Sequence, residues 1–526
     1  MPDVPLTIIR RSFHGLAQRT GPLTWPQQAI RPSIEWLGQD NHYFSMSYVL
    51  EIHAECSRDD VANAMMKLVE RHETLRTKFA DVDGEECQIV HGSGDVTLRA
   101  FDVKGDRPTQ ELEYDAELIV AGMRSVSFNM STEWPVRFVL ITVADKPRYI
   151  GFIGNKAAMD GGSLSICVQE MDMLLGGVWY PSDEERGKRT PWQPIDQAVS
   201  ERSEAGRRES ERSARYWRAE LSRVPVPLFP ENKEPPAEPR ICRIAFDSPA
   251  LAVAGLKLSQ ELGMHTGTVL LGAVAAMLGD FTGNSTIALQ LIVSNRFDKR
   301  TQSMVGLMNE DGLMTLSLAG EPFHQIVRSA QAASMRAYMS GHYDPARIER
   351  VRAEMAHQQG LDRIDISAYF NNFPYAGPIS WEKSVEQALS KAEVVARREH
   401  SRFRMVSSWP RQDSTLFIHS NYDLGLVTLH AVADTALFSL SSARAFLRGI
   451  EELILHAAFG EVGPSEIAEI GAAVRAEEDL RGAETGVIKT VRSRLFCAYG
   501  ERFPTRSRSL HHVSPARHRR EESMHD

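Results

Sequence analysis

Cysteine is scarce in this sequence, and the few cysteines present are not spaced as metal ligands. The 526 residues include five cysteines, without a CxxC motif or the Cys/His spacing of zinc sites. They are Cys56, Cys87, Cys167, Cys242 and Cys497. The sequence also lacks a P-loop and a GxGxxG motif that leads into a helix. It therefore indicates neither a disulfide framework, nor a metal site, nor the use of a nucleotide.

Long apolar runs and an excess of positive charge are missing too. The N-terminal stretch "MPDVPLTIIRRSFHG" lacks the apolar run of a secretory signal. The longest apolar stretch, Val269 to Gly279, is too short to span a bilayer. With 60 Lys and Arg against 69 Asp and Glu, the formal net charge is −9, which argues against a general affinity for nucleic acid. We expect a cytoplasmic protein with neither a membrane nor a nucleic acid as partner.

What the sequence does contain is a mixture of helix and strand patterns that occurs twice. In the first half, apolar spacing predicts a helix from Ser57 to Leu75, with Ser57 as N-cap and Asp60 completing a capping box. Strand patterns such as "PVRFVLITV" and "RYIGFIG" follow. Residues 181–239 are rich in proline and charge, which resists regular packing. Helices and strands then return in mixed order, so we predict an α+β fold with a sandwich in each half.

The stretch "GFIGNKAAMDGGS", residues 151–163, holds the candidate active-site residues. Its pattern is that of a buried strand that enters a polar turn and then a helix. Lys156 lies four residues before Asp160. The glycine pair and serine that follow suit a tight turn, where a ligand approaches the backbone closely.

Four segments stand in an order shared with a known enzyme family. They are "PLTWPQQAI" (residues 22–30), "LVERHETLRTKF" (68–79), "NKAAMDG" (155–161) and "SNRFDKRTQSMVGLMNEDGLMTL" (294–316). Through them the sequence resembles the condensation domains of nonribosomal peptide synthetases, in the chloramphenicol-acetyltransferase-like superfamily of acyltransferases. "NKAAMDG" aligns with the HHxxxDG motif of that family. The likeness extends from about Pro22 to about Phe459.

The resemblance implies two chloramphenicol-acetyltransferase-like lobes, arranged as a V-shaped pseudo-dimer with a tunnel between them. We divide the chain into an N-terminal extension (residues 1–21), an N-terminal lobe (22–180), a bridge (181–239), a C-terminal lobe (240–463), and a C-terminal helix with a basic tail (464–526). The tail is expected to be disordered, and the protein to be a monomer.

The resemblance also implies a chemistry. Its members transfer an acyl group from a thioester, on the phosphopantetheine arm of a carrier protein or on coenzyme A, to an amine or alcohol. We expect no permanently bound cofactor and no metal. The family's motif aspartate holds the loop through an ion pair with an arginine, which assigns structural roles to Asp160, Gly161 and Gly162, with Arg296 as candidate partner. Residues expected in the substrate tunnel are Ser163, Tyr369, Asn371 and Asn372.

Both motif histidines are replaced, the first by Asn155 and the second by Lys156. The second histidine of relatives removes or orients the acceptor's proton, whereas an unperturbed lysine, with a pKa of about 10.4, is already protonated at pH 7. Three roles for Lys156 remain open. Burial would favour the neutral amine and create a lysine base. A charged amine would donate hydrogen bonds to the thioester carbonyl. Otherwise Lys156 pairs with Asp160 or faces solvent, and the protein transfers nothing.

Two functions follow from these alternatives. The first is a free-standing, condensation-domain-like acyltransferase of secondary metabolism that forms an amide or ester, with Lys156 and the adjacent Asn155 as catalytic residues. The second is a catalytically inactive relative that docks a carrier protein or recruits a tailoring enzyme. An open tunnel that reaches Lys156 favours the first function, and a plugged one favours the second.

Overall fold

The computed structural model describes residues 5–484, apart from residues 54, 106–107, 177–190, 233, 374–388 and 424. The described helices are α1 (Trp25–Leu37), α2 (Arg58–Arg71), α3 (Thr109–Arg124), α4 (Gly161–Leu174), α5 (Pro194–Glu201), α6 (Glu204–Leu221), α7 (Pro249–Leu262), α8 (Thr266–Thr282), α9 (Phe323–Tyr338), α10 (Pro345–Gln358), α11 (Lys391–Arg398), α12 (Leu440–Ala457) and α13 (Pro464–Glu484). Short 3₁₀ helices span Gly38–Phe44, Glu73–Arg76 and Thr301–Ser303.

The described strands are β1 (Leu6–Phe13), β2 (Arg19–Pro22), β3 (Ser45–Glu51), β4 (Thr77–Val82), β5 (Glu85–Val90), β6 (Gly94–Val103), β7 (Val136–Val143), β8 (Lys146–Asn155), β9 (Ile241–Ser248), β10 (Thr286–Val293), β11 (Glu310–Ser317), β12 (Ala368–Asn372), β13 (Arg402–Trp409), β14 (Leu416–Asp423) and β15 (Leu426–Asp434).

A five-stranded sheet forms the centre of the first half, in the order β1-β6-β7-β8-β3. Neighbouring strands are antiparallel, except for the parallel pair β6 and β7. Buried apolar side chains cover both of its faces, with α2 and α4 packed on one face and α3 on the other. A three-stranded antiparallel sheet, β2-β5-β4, completes this half.

The first strand corrects the predicted start of the N-terminal lobe. Residues 1–21 are an extension by sequence pattern, yet β1 pairs with β6 from Leu6 opposite Phe101 to Phe13 opposite Gly94. Apart from the buried Phe13, its residues are exposed or half-buried. An edge strand without a regular apolar alternation gives little signal in the sequence, and its pairing with β6 is a tertiary contact.

A seven-stranded sheet forms the centre of the second half, in the order β11-β10-β12-β14-β15-β9-β13. Strands β10, β12 and β14 run parallel, and the other neighbours are antiparallel. Helices α7, α8, α9 and α12 share one large apolar core with this sheet. The predicted α+β class, with sheet and helices in each half, is confirmed.

Two segments connect the halves beyond the simple passage of the chain. In the predicted 181–239 bridge, Glu201 at the end of α5 accepts a hydrogen bond from the backbone N–H of Trp25 (2.7 Å), while Trp217 of α6 is buried in the core of the second half. In the loop after β10, Val305 packs into the core of the first half, and its carbonyl accepts a hydrogen bond from Thr74 (2.6 Å). Each half therefore contributes to the packing of the other.

No single helix among the described residues is long and apolar enough to cross a membrane; α7 and α8 meet that test only together, as a pair bent by 104°. From residue 485 onward, the basic tail that the sequence predicts lies outside the described residues.

Candidate active site

The loop between β8 and α4 is shaped by its first residue, Asn155. The side-chain oxygen of Asn155 accepts a hydrogen bond from the backbone N–H of Ala157 (2.8 Å), and its backbone carbonyl accepts from Ala158 (3.0 Å) and Met159 (3.1 Å). Asn155 is fully buried and does not belong to the lining of the large cavity described below. The structure gives it a role in holding the turn, where the sequence predicted a catalytic one.

Asp160 begins α4 as its N-cap and ties the loop to the second half of the chain. Its Oδ1 accepts from the backbone N–H of Ser163 (2.7 Å) and from Nη2 of Arg296 (2.7 Å). Its Oδ2 accepts from the backbone N–H of Met308 (3.0 Å). Because the carboxylate is buried, these donors replace the water that would otherwise solvate its charge.

Arg296 extends this network along the loop that follows β10. Its Nη1 donates to the carbonyl oxygens of Thr301 (2.8 Å) and Met304 (2.7 Å), and its Nη2 donates to that of Gly306 (3.0 Å). A Cβ atom on Gly162 would lie 2.6 Å from Nε of Arg296. Residue 162 is therefore a glycine because the guanidinium approaches the backbone there.

Ser163 belongs to the same network and not to the cavity wall. Its hydroxyl oxygen accepts from Arg296 (2.8 Å) and from the backbone N–H of Gly306 (2.9 Å). Its own proton lies within reach of Asp160 Oδ1 (2.9 Å) and the Gly306 carbonyl (2.6 Å). Ser163 is fully buried and does not line the cavity, so its predicted place in the substrate tunnel is corrected to a structural one.

A cavity of about 850 Å³ is lined by residues of both halves. The half-buried Lys156 reaches it from the first half. The predicted residues that line it are Lys156, Asp160, Gly161, Gly162, Arg296, Tyr369, Asn371 and Asn372. The volume lies within the range of ligand-binding cavities in proteins. Within the described residues, no group of three or more His, Cys, Asp or Glu side chains is arranged to hold a metal ion.

The second half supplies a wall of fixed side chains. Tyr369 of β12 stacks on Phe417 of β14, with ring centroids 5.0 Å apart, and burial raises the pKa of Tyr369 well above its usual range. The Asn372 side-chain oxygen accepts hydrogen bonds from Ser420 and from the Tyr422 hydroxyl, both at 2.7 Å. These contacts within one sheet set the shape of the wall before any ligand binds.

Sequence reasoning missed several charged or titratable residues of the cavity. Arg243, Asp311, Asp413 and His419 all line it. Burial, together with the nearby charge of Asp413, raises the pKa of Asp311 to about 7. The one available signal was strand alternation in "STLFIHSNYD", which places Phe417 and His419 on the same face of β14. That pattern indicates a shared face, but it does not identify which face lines a cavity.

The chain matches a family model, Condensation domain, over residues 17–460. Among curated proteins, a linear gramicidin synthase of Brevibacillus parabrevis is 26% identical over 323 residues, which cover 60% of this chain and 6% of that protein. PF 1022-synthetase of Rosellinia sp. is 23% identical over 308 residues, which cover 57% of this chain and 9% of that protein. The chain thus corresponds to a small part of these long relatives.

Two solved structures share the fold. The SgcC5 protein from Streptomyces globisporus, in complex with (R)-(-)-1-(2-naphthyl)-1,2-ethanediol and sucrose, superimposes with a TM-score of 0.62 at 17% identity, covering 83% of this chain and 98% of that one. A variant of the starter condensation domain of rhizomide synthetase RzmA, in complex with C8-CoA, gives a TM-score of 0.61 at 14% identity, covering 85% and 96%. At these identities the likeness concerns the fold.

Proposed function

Because the chain belongs to the condensation-domain family, we propose that it transfers an acyl or aminoacyl group from a thioester to an amine or alcohol, forming an amide or ester. The observation that carries this proposal is the position of Lys156 at a cavity lined by both halves, on a loop held by the Asp160–Arg296 ion pair. A two-substrate reaction gains most of its rate from holding both reactants together, and a cavity of this size offers that place.

We assign to Lys156 the stabilisation of negative charge on the thioester carbonyl oxygen. That oxygen gains charge as the acceptor attacks, and a hydrogen-bond donor that is already in position lowers the barrier. After burial and Arg243, the charge of Lys156 is the third cause that lowers the pKa of His419. A positive charge at Lys156 is therefore felt inside the cavity, which supports the donor role over the other two.

The donor is proposed to arrive on the phosphopantetheine arm of a carrier protein or on coenzyme A, so the activated group comes with the substrate and no resident cofactor is needed. The C8-CoA bound to the rhizomide synthetase domain supports a thioester donor. Action as a free-standing, cytoplasmic monomer stays a prediction, which gel filtration of the natively expressed protein tests for the oligomeric state.

The test is turnover of acyl thioesters by wild-type protein and Lys156 variants. Thiol release is followed from carrier-bound and pantetheine-bound acyl donors, taken from the gene neighbourhood and mixed with amine or alcohol acceptors, and the product is identified by mass spectrometry. Lys156→Met keeps the length of the side chain but removes its charge, so we expect a loss of about 10²–10³-fold in kcat, as for Lys156→Ala. Lys156→Arg keeps the charge and is expected to retain part of the activity.

Lys146→Met is the matched control, because Lys146 is exposed at the opposite end of the same strand, β8. It should leave kcat unchanged. Wild-type protein that turns over none of the donors contradicts the proposal. If it then still binds a carrier protein, and Lys156→Ala binds equally well, the docking function is the correct alternative.

A further inference from the structure

His419 lies in the middle of the seven-stranded sheet, on the wall that faces the cavity. It stands on β14 opposite Asn371 of β12 and His430 of β15. Asn371, Phe417 and His419 all line the cavity. The loop of the first half has no imidazole, but the opposite wall provides one.

Stacking holds the His419 ring in place. Its centroid lies 4.1 Å from that of Phe417, with the ring planes 18° apart, and 5.9 Å from that of Phe373 at 16°. Only 8% of His419 is exposed, and no group in the described part of the chain hydrogen-bonds to its Nδ1. A buried polar atom without a partner is costly, and such atoms are often retained for a function.

The surroundings of His419 keep its ring uncharged. Burial is the largest cause, and the charges of Arg243 and Lys156 add to it, so the pKa of His419 lies well below its usual range. At physiological pH the ring is therefore a neutral imidazole, which can accept a proton. The same arrangement makes its protonated form a ready proton donor, because a group with a low pKa gives up its proton easily.

We propose that His419 accepts the proton of the attacking amine or alcohol while Lys156 donates to the thioester carbonyl oxygen; this inference rests on the function proposed above. The lone pair of the acceptor forms the new N–C or O–C bond to the carbonyl carbon, and the acceptor's proton passes to the imidazole. The oxyanion then collapses, the C–S bond breaks, and the imidazolium protonates the departing thiolate. The products are an amide or ester and a free thiol, with every proton accounted for.

The test uses the acyl-pantetheine donor and the acceptor that give turnover with wild-type protein. His419→Ala removes the ring, and His419→Phe keeps a ring that stacks on Phe417 but has no nitrogen. We expect kcat to fall by about 10²-fold or more in both variants, while KM changes by less than about threefold. Free imidazole should restore turnover to His419→Ala, and more basic substituted imidazoles should restore more of it.

His430→Ala is the matched control. His430 is as buried as His419 (8% exposed), and its Nδ1 likewise has no hydrogen-bond partner in the described part of the chain, but it does not line the cavity. It should keep wild-type kcat, since a role in packing alone would affect both histidines. Thermal unfolding of every variant verifies that the fold is retained.

The outcomes separate this inference from the function on which it rests. Active wild-type protein with unchanged kcat in both His419 variants overturns the inference and leaves the proposed function standing. A loss in His419→Ala that free imidazole does not restore, or that His430→Ala shares, also overturns it. Wild-type protein without turnover overturns the proposed function, and this inference with it.

Discussion

The guanidinium of Arg296 donates to the carboxylate of Asp160 across 2.7 Å, joining two residues 136 positions apart in the sequence. Only 1% of the Asp160 side chain and 11% of the Arg296 side chain are exposed. Both charges are thus largely removed from water, and each depends on the other for compensation. This contact fixes the loop that carries Lys156 relative to the second half of the chain.

Asp160→Ala is expected to destabilise the protein by about 3–5 kcal/mol, because the buried Arg296 charge loses its partner. The measurement is the urea dependence of unfolding, and the variant should also lose acyl transfer. Glu204→Gln is the control: Glu204 pairs with Arg208 on α6, but both side chains are exposed, and such pairs contribute about 1 kcal/mol or less. Equal unfolding midpoints for Asp160→Ala and wild type would contradict the role of the ion pair.

Gly162→Ala is expected to displace the Arg296 side chain, since the new Cβ atom would lie 2.6 Å from its Nε. Overpacking of this kind costs about 1–3 kcal/mol, so the unfolding temperature should fall and transfer activity should decrease. Gly460→Ala serves as control, because a Cβ atom there meets no atom within 4 Å. The explanation fails if both variants unfold at the same temperature.

His342 gives the protein a stability that depends on pH. Its ring lies 3.3 Å from Glu201 and 3.4 Å from Glu209. Burial alone lowers its pKa, but hydrogen bonds to these two carboxylates outweigh burial and raise the pKa to about 10. In the unfolded chain the pKa is about 6.5. The folded state therefore binds this proton more tightly, so the contribution is complete below about pH 6.5 and is lost as the pH rises toward 10.

His342→Gln is accordingly expected to flatten the decline of the unfolding free energy between about pH 6.5 and 10. Urea denaturation at several pH values in this range compares the two slopes. The variant should be less stable than wild type at the acidic end, and the difference should shrink at the alkaline end. Parallel curves for the two proteins would show that His342 does not contribute in this way.

The second helix shows how far local sequence determines structure here. The predicted cap is confirmed: Ser57 Oγ accepts from the backbone N–H of Asp60 (3.1 Å), and the Asp60 carboxylate accepts from that of Ser57 (2.8 Å). The helix ends at Arg71, before the predicted Leu75, because His72 is extended at φ −108° and ψ 108°. The His72 ring pairs with Glu170 of α4 (2.8 Å), a contact that apolar spacing does not encode.

At the candidate site the division follows the same line. The sequence of the loop indicated that Lys156 and Asp160 lie near a tight turn, because a strand, a turn and a helix N-terminus are local features. It did not distinguish cavity residues from buried ones, and Asn155 and Ser163 belong to the latter group. His419 has no motif, and its surroundings are formed by residues of four strands and of the Lys156 loop.

Residue types and short spacings were enough to establish the α+β class, the family, and the replacement of two histidines by Asn155 and Lys156. They were not enough to show that β1 belongs to the first sheet, that Arg296 holds Asp160, or that His419 and Lys156 line one cavity. Those relationships emerge when the chain folds, because they join segments far apart in the sequence. Their energies depend on burial and packing, which a linear pattern does not specify.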